Sequence, residues 1–357
     1  MLEDTSYVPT LAVRASEMNG LEFLPSATKD KMTPCFLLAP WPNTNALEKA
    51  IVRIEKAFPK RRYLLDIDRD YIFTNLENEG QREFAELLNP NNAFENWRNF
   101  VQEHGWVLPC VQTRGQSQSD ILRQIRAFQE MGRPYFGRVV LERFPDNFSE
   151  IISAFAASGS ADFAILLEGG WTVDPLTLSA WFAGLIAGGL QAIDANVPAI
   201  VSCTSIPKLF SAYNSKRPAT VSFTNRMLVE QVTRTSNRAR IIYGDWGSTR
   251  PREDSGIASR PIDRIDYPTA VAWHIARNKD DGWGFQRAAE AILADPNWDG
   301  KLAIWGEEMI TNTVINPALG INTPQKNVAS RVNIHLHRQT FYGADLGRMD
   351  FDEEWED

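Results

Sequence analysis

Charged side chains recur at one kind of place along this chain: just after short apolar runs. Arg14, Asp66, Asp68, Arg114, Arg143, Glu168 and Asp245 lie at or just beyond the ends of such runs, and the uncharged but polar Thr204 holds the equivalent place. Opposed carboxylates flanked by arginines can hold a divalent cation, carry acid–base chemistry or grip a phosphorylated ligand. Two stretches are the sharpest, Glu168-Gly169-Gly170-Trp171 and Tyr243-Gly244-Asp245-Trp246-Gly247. Each sets a carboxylate beside glycines that let backbone or ligand come close, with a Trp ready to stack. Asp66, Asp68, Glu168 and Asp245 are therefore the candidate catalytic carboxylates, and Arg14, Arg114, Arg143 and Trp246 the candidate ligand-binding residues. The plain alternative is a ring of ion pairs closing a barrel mouth. Further on, Asn333, His335 and His337 alternate with Ile334 and Leu336. That alternation reads as a strand with one polar face, where His335 is a candidate acid–base or metal group or simply faces water.

The elements that must position these residues follow a rhythm. Apolar runs occupy Pro9–Val13, Cys35–Ala39, Tyr63–Ile67, Val107–Val111, Phe136–Leu141, Phe163–Leu167, Ala199–Cys203 and Arg240–Tyr243. Counted from Thr10, Cys35, Tyr63, Trp106, Phe136, Asp162, Pro198 and Ala239, the steps are 25, 28, 43, 30, 26, 36 and 41 residues, room each time for a strand, a helix and two loops. The runs are continuous rather than alternating, as in parallel strands buried on both faces. The pattern predicts an α/β protein of (β/α)8 TIM-barrel type over residues 1–250, whose chemistry would sit at the C-terminal ends of the strands. Asp66 and Asp68, two apart, project to one side of their strand. Carboxylates under helices are costly, so the lumen mouth is the expected side.

Between the strands the period changes to about 3.6. Asn43-Thr44 would cap a helix carrying Leu47, Ile51, Ile54 and Phe58. Asp120 would begin one carrying Ile121, Ile125 and Phe128, stopped at Gly132. Phe148, Ile151, Ile152 and Phe155 repeat the stripe. Leu176–Leu190 is apolar nearly all round, and Arg226–Thr233 precedes the eighth strand. After Arg250 the texture shifts: Arg250–Pro261 reads as loop, Tyr267–Arg277 and Gly284–Ala294 as helices, and Leu302–Trp305 and Asn333–His337 as strands. Residues 251–344 are thus an α+β extension expected to pack on the barrel, and 345–357 an acidic tail. His104 reads as a helix-end residue and His274 as a helix-face one.

Composition narrows the classes. The apolar share of 43% and charged share of 23% suit a globular protein. A net charge of −8 argues against broad nucleic-acid binding while leaving room for a local basic pocket. Cys35, Cys110 and Cys203 all fall within strand runs, so the expectation is three buried thiols in a reducing cytoplasm. Neither a signal peptide nor a membrane-spanning stretch is legible. Phosphate-binding glycine loops, a GxSxG elbow and HExxH are absent from the sequence.

Several short segments, taken in order, resemble one family. They are Tyr7-Val8-Pro9-Thr10-Leu11, the Pro34–Pro40 strand, Ser205-Ile206-Pro207, Tyr243-Gly244-Asp245-Trp246, Trp273-His274-Ile275-Ala276-Arg277, Trp305-Gly306-Glu307 and Asn333-Ile334-His335. Together they resemble the "beta protein" family of phages and bacteria over nearly the whole chain. The family often has Tyr at position 246 and a second His where this chain has Leu336. The resemblance carries no settled activity; family members occur in phages and beside nuclease-like genes, a setting of phage–host conflict. If the matching residues mark a shared site, it comprises Asp66, Asp68, Arg143, Asp245, Trp305, Asn333 and His335, which adds Trp305 and Asn333 as ligand-binding candidates. That site requires the extension to fold over the barrel mouth.

Three functions stay open at this point. The first is a module binding a small charged ligand, phosphorylated or a nucleotide. The second is a phosphoester hydrolase whose carboxylates hold Mg²⁺ or Mn²⁺. The third is a scaffold that meets a protein partner.

Overall fold

The computed structural model describes residues 1–236, 238–252 and 262–344. Most of the expected Arg250–Pro261 loop and the acidic tail lie outside the described residues. Seven parallel strands, β1 (Tyr7–Ala12), β2 (Cys35–Leu38), β3 (Tyr63–Ile67), β4 (Val107–Pro109), β5 (Tyr135–Val140), β6 (Phe163–Trp171) and β7 (Ala199–Thr204), precede a short strand β8 (Ala219–Ser222). The next strand, β9 (Ile241–Asp245), is the eighth member of the parallel sheet, inserted between β7 and β1. The sheet closes where Cys110 bridges Phe136 beside β4 and β5. All eight apolar runs are barrel strands.

A cluster of Val8, Cys35, Leu64, Leu108, Phe136, Ala164, Leu166, Ile200 and Ile242 draws on every one of these strands. Only the lumen is reached by all eight, so this cluster fixes which face of each strand points inward. Met1 and Leu2 pack against its open end.

Helices form the outer layer for the reason their periodicity implies. Leu47, Ile51, Ile54 and Phe58, and likewise Ile121, Ile125 and Phe128, are all buried against the barrel. Each such side chain contributes up to about 1.5–3 kcal/mol of hydrophobic stabilisation. The caps differ from expectation. Ser117, not Asp120, caps the helix Gln118–Glu130. Thr44 bonds the Trp41 carbonyl instead of capping, the helix starts at Glu48, and Glu83 accepts from the Leu47 N–H at 2.7 Å. The helices Glu79–Leu87 and Asn91–Glu103 fill the long step between β3 and β4.

Three further sequence readings are corrected. Tyr267–Arg277 is not a helix but an antiparallel pair, β10 (Ile265–Pro268) and β11 (Ala272–Ala276), and β11 also pairs with β8. His274 is accordingly a strand residue. Pro268 is only the second residue of the expected helix, within the first turn where proline is tolerated, so it gives no warning. Leu302–Ile304 is a bent lead into the helix Trp305–Ile315, with Ala303 at positive φ and Ile304 at the N-cap. Asn333–His337 belongs to the helix Pro324–Thr340, buried almost continuously from Ala329 to Thr340. A helix enclosed on every side shows no amphipathic period, so a chance alternation of residue types reads as a strand.

Candidate functional site: an arginine-lined barrel mouth

One turn of the pleat above the apolar lumen layer, the inward positions become polar: Thr10, Asp66, Arg138, Glu168 and Ser202, with Gly244 leaving space among them. Arg138 sits between two carboxylates. Its Nη1 donates to Asp66 Oδ2 at 3.1 Å, and its Nη2 lies 3.9 Å from Glu168 Oε2. Burial opposes its charge, but Asp66 and Glu168 outweigh that and keep it protonated. Asp66 also accepts from Gln112 at 2.8 Å. Glu168 Oε1 accepts from Trp246 Nε1 at 2.7 Å and from the Gly170 N–H at 3.0 Å. Its Oε2 is buried without a hydrogen-bond partner among the described residues, and burial raises its pKa against the opposing pull of Arg138.

Above this layer, Asp68 accepts from Arg252 Nε at 2.5 Å. Arg143 and Asp70 form a two-pronged pair, with Nη2 to Oδ2 at 2.9 Å. Two cavities open here. The larger, 520 Å³, is lined by Arg69, Arg114, Arg138 and Arg143, with Asp66 and Asp146 as its carboxylates. The smaller, 190 Å³, shares Arg138 and Arg143 and adds Glu168, Trp171, Trp246 and Arg252.

Arg69 and Arg114 differ from their neighbours. Arg69 donates to Gln112 Oε1 at 2.7 Å and lies over the Phe94 ring. Neither guanidinium has a carboxylate within ion-pair distance among the described residues. Burial, with Arg114 and Arg143 nearby, lowers the pKa of Arg69 although Asp66 pulls the other way. Excess positive charge is thus concentrated on one side of the mouth of an acidic protein.

The remaining candidates are elsewhere. Asp245 is adjacent in sequence to the inward Gly244 and so points outward, under the helices. There it accepts from Tyr7 Oη at 2.5 Å, Tyr243 Oη at 2.6 Å and the Gly247 N–H at 2.7 Å. His335 Nε2 lies 2.7 Å from Asp245 Oδ2. Burial works against the carboxylate, but His335 and the two phenols together hold its pKa below the ordinary value. A carboxylate only accepts, so Nε2 carries the proton. On the helix His337 diverges from His335 and meets Thr28 Oγ1 at 2.9 Å. Asn333 donates to the Gly20 carbonyl and accepts from the Gly306 N–H, both at 2.9 Å. Trp305 stacks on Phe23, with ring centres 4.8 Å apart. His335, Asn333 and Trp305 line neither mouth cavity. Arg14 lines a third cavity, together with Glu17, Arg264 and Arg331. Arg69 and Arg138 are not among the sequence candidates, although Arg138 is the lone charge of the run Phe136–Leu141.

Among the described residues no three His, Cys, Asp or Glu side chains converge to hold a metal ion. The three cysteines are free and buried. No helix of the described residues is long and apolar enough to cross a membrane.

Fold and mouth together define a (β/α)8 barrel with a charged, largely arginine-lined opening at the C-terminal ends of its strands. The chain belongs to the Beta protein family, whose profile matches residues 7–341. It is 27% identical to "Protein beta" of Enterobacteria phage P4, a match covering 99% of this chain and 98% of that one.

Proposed function

We propose that the barrel mouth is a receptor for a small anionic ligand, phosphorylated or a nucleotide. The observation that carries this reading is the pair Arg69 and Arg114, which line a 520 Å³ cavity without a carboxylate partner among the described residues. Planar guanidinium groups suit bidentate recognition of phosphate and carboxylate oxygens. Metal-dependent phosphoester hydrolysis is less well supported, because Asp66, Asp68 and Asp70 are each already engaged by an arginine. An acid–base role is favoured at one position only. Glu168 keeps a buried oxygen with no hydrogen-bond partner among the described residues, beside the smaller cavity.

The test is a thermal-shift panel of nucleotides, sugar phosphates and inorganic phosphate on wild type, Arg114→Gln and Glu168→Gln. A ligand at about 100 times its Kd adds roughly 2.7 kcal/mol of stability. The reading expects a shift that Arg114→Gln removes. A panel with no shift, or one unaffected by Arg114→Gln, overturns it. Turnover of the bound compound that Glu168→Gln abolishes would make the mouth an active site.

A further inference from the structure

The larger mouth cavity does not end at its arginines. A further recess of 420 Å³ adjoins it, and the two share Arg69, Arg114 and Gly115. Gly115 has a positive φ of 69°, and a Cβ there would meet no atom of the described residues within 4 Å, so nothing obstructs the passage at that point. The recess differs in character from the mouth. The rest of its lining is Leu88, Pro90 and Phe94, with no carboxylate among the described residues. A phosphoryl group alone gains nothing from such a surface, whereas a flat apolar ring does.

The recess is built against the preference of the backbone. The helix Asn91–Glu103 opens on three consecutive residues in the left-handed region, Asn92, Ala93 and Phe94, with φ of 52°, 58° and 53°. None is glycine, and side chains disfavour this conformation, so it persists only where surrounding contacts impose it. Arg98 supplies two of them, its Nε donating to the Ala93 carbonyl at 3.1 Å and its Nη2 to the Asn92 carbonyl at 2.8 Å. Gln116 Nε2 donates to the Pro90 carbonyl at 3.3 Å. The turn sets the Phe94 ring against Arg69, whose guanidinium carbon lies 5.6 Å from the ring centre. Arg69 is also held by Gln112 Oε1 at 2.7 Å, and Gln112 is itself anchored to Asp66 at 2.8 Å. Strained backbone and locked side chains collect at functional sites, where they hold a surface ready before its ligand arrives.

We propose that this recess receives the base of a nucleoside monophosphate whose phosphate lies in the mouth. The inference rests on the mouth being an anion receptor, and it narrows the ligand from phosphorylated compounds in general to nucleotides. A guanidinium group offers donors along its edge and a flat face on either side. At the junction of the two cavities, the edges of Arg69 and Arg114 would take the phosphate, and the face of Arg69 not covered by Phe94 would take the base. Every base has such a face, so the recess would accept purines and pyrimidines alike.

Equilibrium dialysis on the full chain, with adenosine monophosphate, uridine monophosphate and ribose 5-phosphate as probes, tests this. Wild type should bind the nucleotides about tenfold tighter than ribose 5-phosphate, a gain expected of one stacked base. Phe94→Leu and Leu88→Gln should remove most of that difference and leave the affinity for ribose 5-phosphate unchanged, while Arg114→Gln weakens all three. Leu88 is only partly buried, so Leu88→Gln keeps the test valid if Phe94→Leu misfolds. Equal affinity of wild type for ribose 5-phosphate and both nucleotides overturns the base site and leaves the mouth reading standing. A nucleotide preference that Phe94→Leu and Leu88→Gln both leave intact does the same. Failure of all three probes to bind refutes the mouth reading, and the base site with it.

Discussion

Replacing Asp245 by Ala separates a structural carboxylate from a functional one. In the folded chain its two oxygens accept from four buried donors, the Tyr7 and Tyr243 hydroxyls, His335 Nε2 and the Gly247 N–H. Removing the acceptor leaves all four without it. An orphaned buried donor costs about 1–3 kcal/mol, and neighbouring losses are not additive. Taking about 1 kcal/mol for each, the low end, gives a destabilisation of about 4 kcal/mol. With an unfolding entropy of about 2.1 cal/mol/K per residue, a chain of 357 residues loses roughly 5 °C in Tm. Urea melts followed by circular dichroism and by tryptophan fluorescence measure the change, and anion binding under native conditions should persist. A loss below about 1 kcal/mol refutes the reasoning, as does a variant that melts like wild type but no longer binds anions. The pH dependence has a definite sign. The folded-state pKa of Asp245 is depressed, so its contribution is complete above the unfolded carboxyl value, about 3.9, and is lost as pH falls towards the lower folded value.

Other expectations rest on single contacts. Burial, reinforced by Arg338, pushes the pKa of His337 down to about 4, so it costs stability as pH falls from about 6.5, its ordinary value. His337→Gln should flatten the Tm profile over that interval, and an unchanged slope would count against this. The pKa of Glu168 is raised, so stability declines as pH rises from the unfolded carboxyl value, about 4.3, towards the higher folded value; Glu168→Gln should remove that part of the decline in Tm. A Cβ at Gly20 would lie 2.6 Å from the Ala329 carbonyl oxygen and 2.9 Å from Val332 Cβ. Gly20→Ala is therefore expected to cost about 1–3 kcal/mol in urea melts by forcing two helices apart. Asn333→Ala should cost about 2 kcal/mol or more, since it strips partners from the buried Gly306 N–H and Gly20 carbonyl; a change within 0.5 kcal/mol would show that water replaces the amide.

What was legible in the sequence depended on whether a signal was doubled. All eight barrel strands could be found because burial on both faces leaves continuous apolar runs. That same property hides which face a lone polar residue occupies. Asp66 and Asp68 declared their side by their spacing, whereas Asp245 had no polar neighbour at the same parity. The phenols that make its outward position affordable, Tyr7 and Tyr243, counted as apolar strand residues. Arg69 is only one charge in the run Asp66–Asp70, and its lack of an ion-pair partner among the described residues exists only in three dimensions. The helix Pro324–Thr340 was misread for the converse reason: enclosed by barrel helix and extension, it carries no stripe.

That helix has a consequence for how the protein comes into being. Asn333 holds the carbonyl of Gly20, His337 meets Thr28, and Thr340 reaches Met32, partners made some 300 residues apart. β1 likewise finds one of its two neighbours, β9, only after more than 200 residues. During synthesis the first βα unit must wait, with its apolar edge uncovered, until the last turns of helix have left the ribosome. Closing such distant contacts is slow, and the exposed intermediate is prone to aggregate. A ribosome that stops short of Thr340 therefore releases a barrel whose opening unit has lost its cover, so premature termination late in the message should be nearly as damaging as termination early in it.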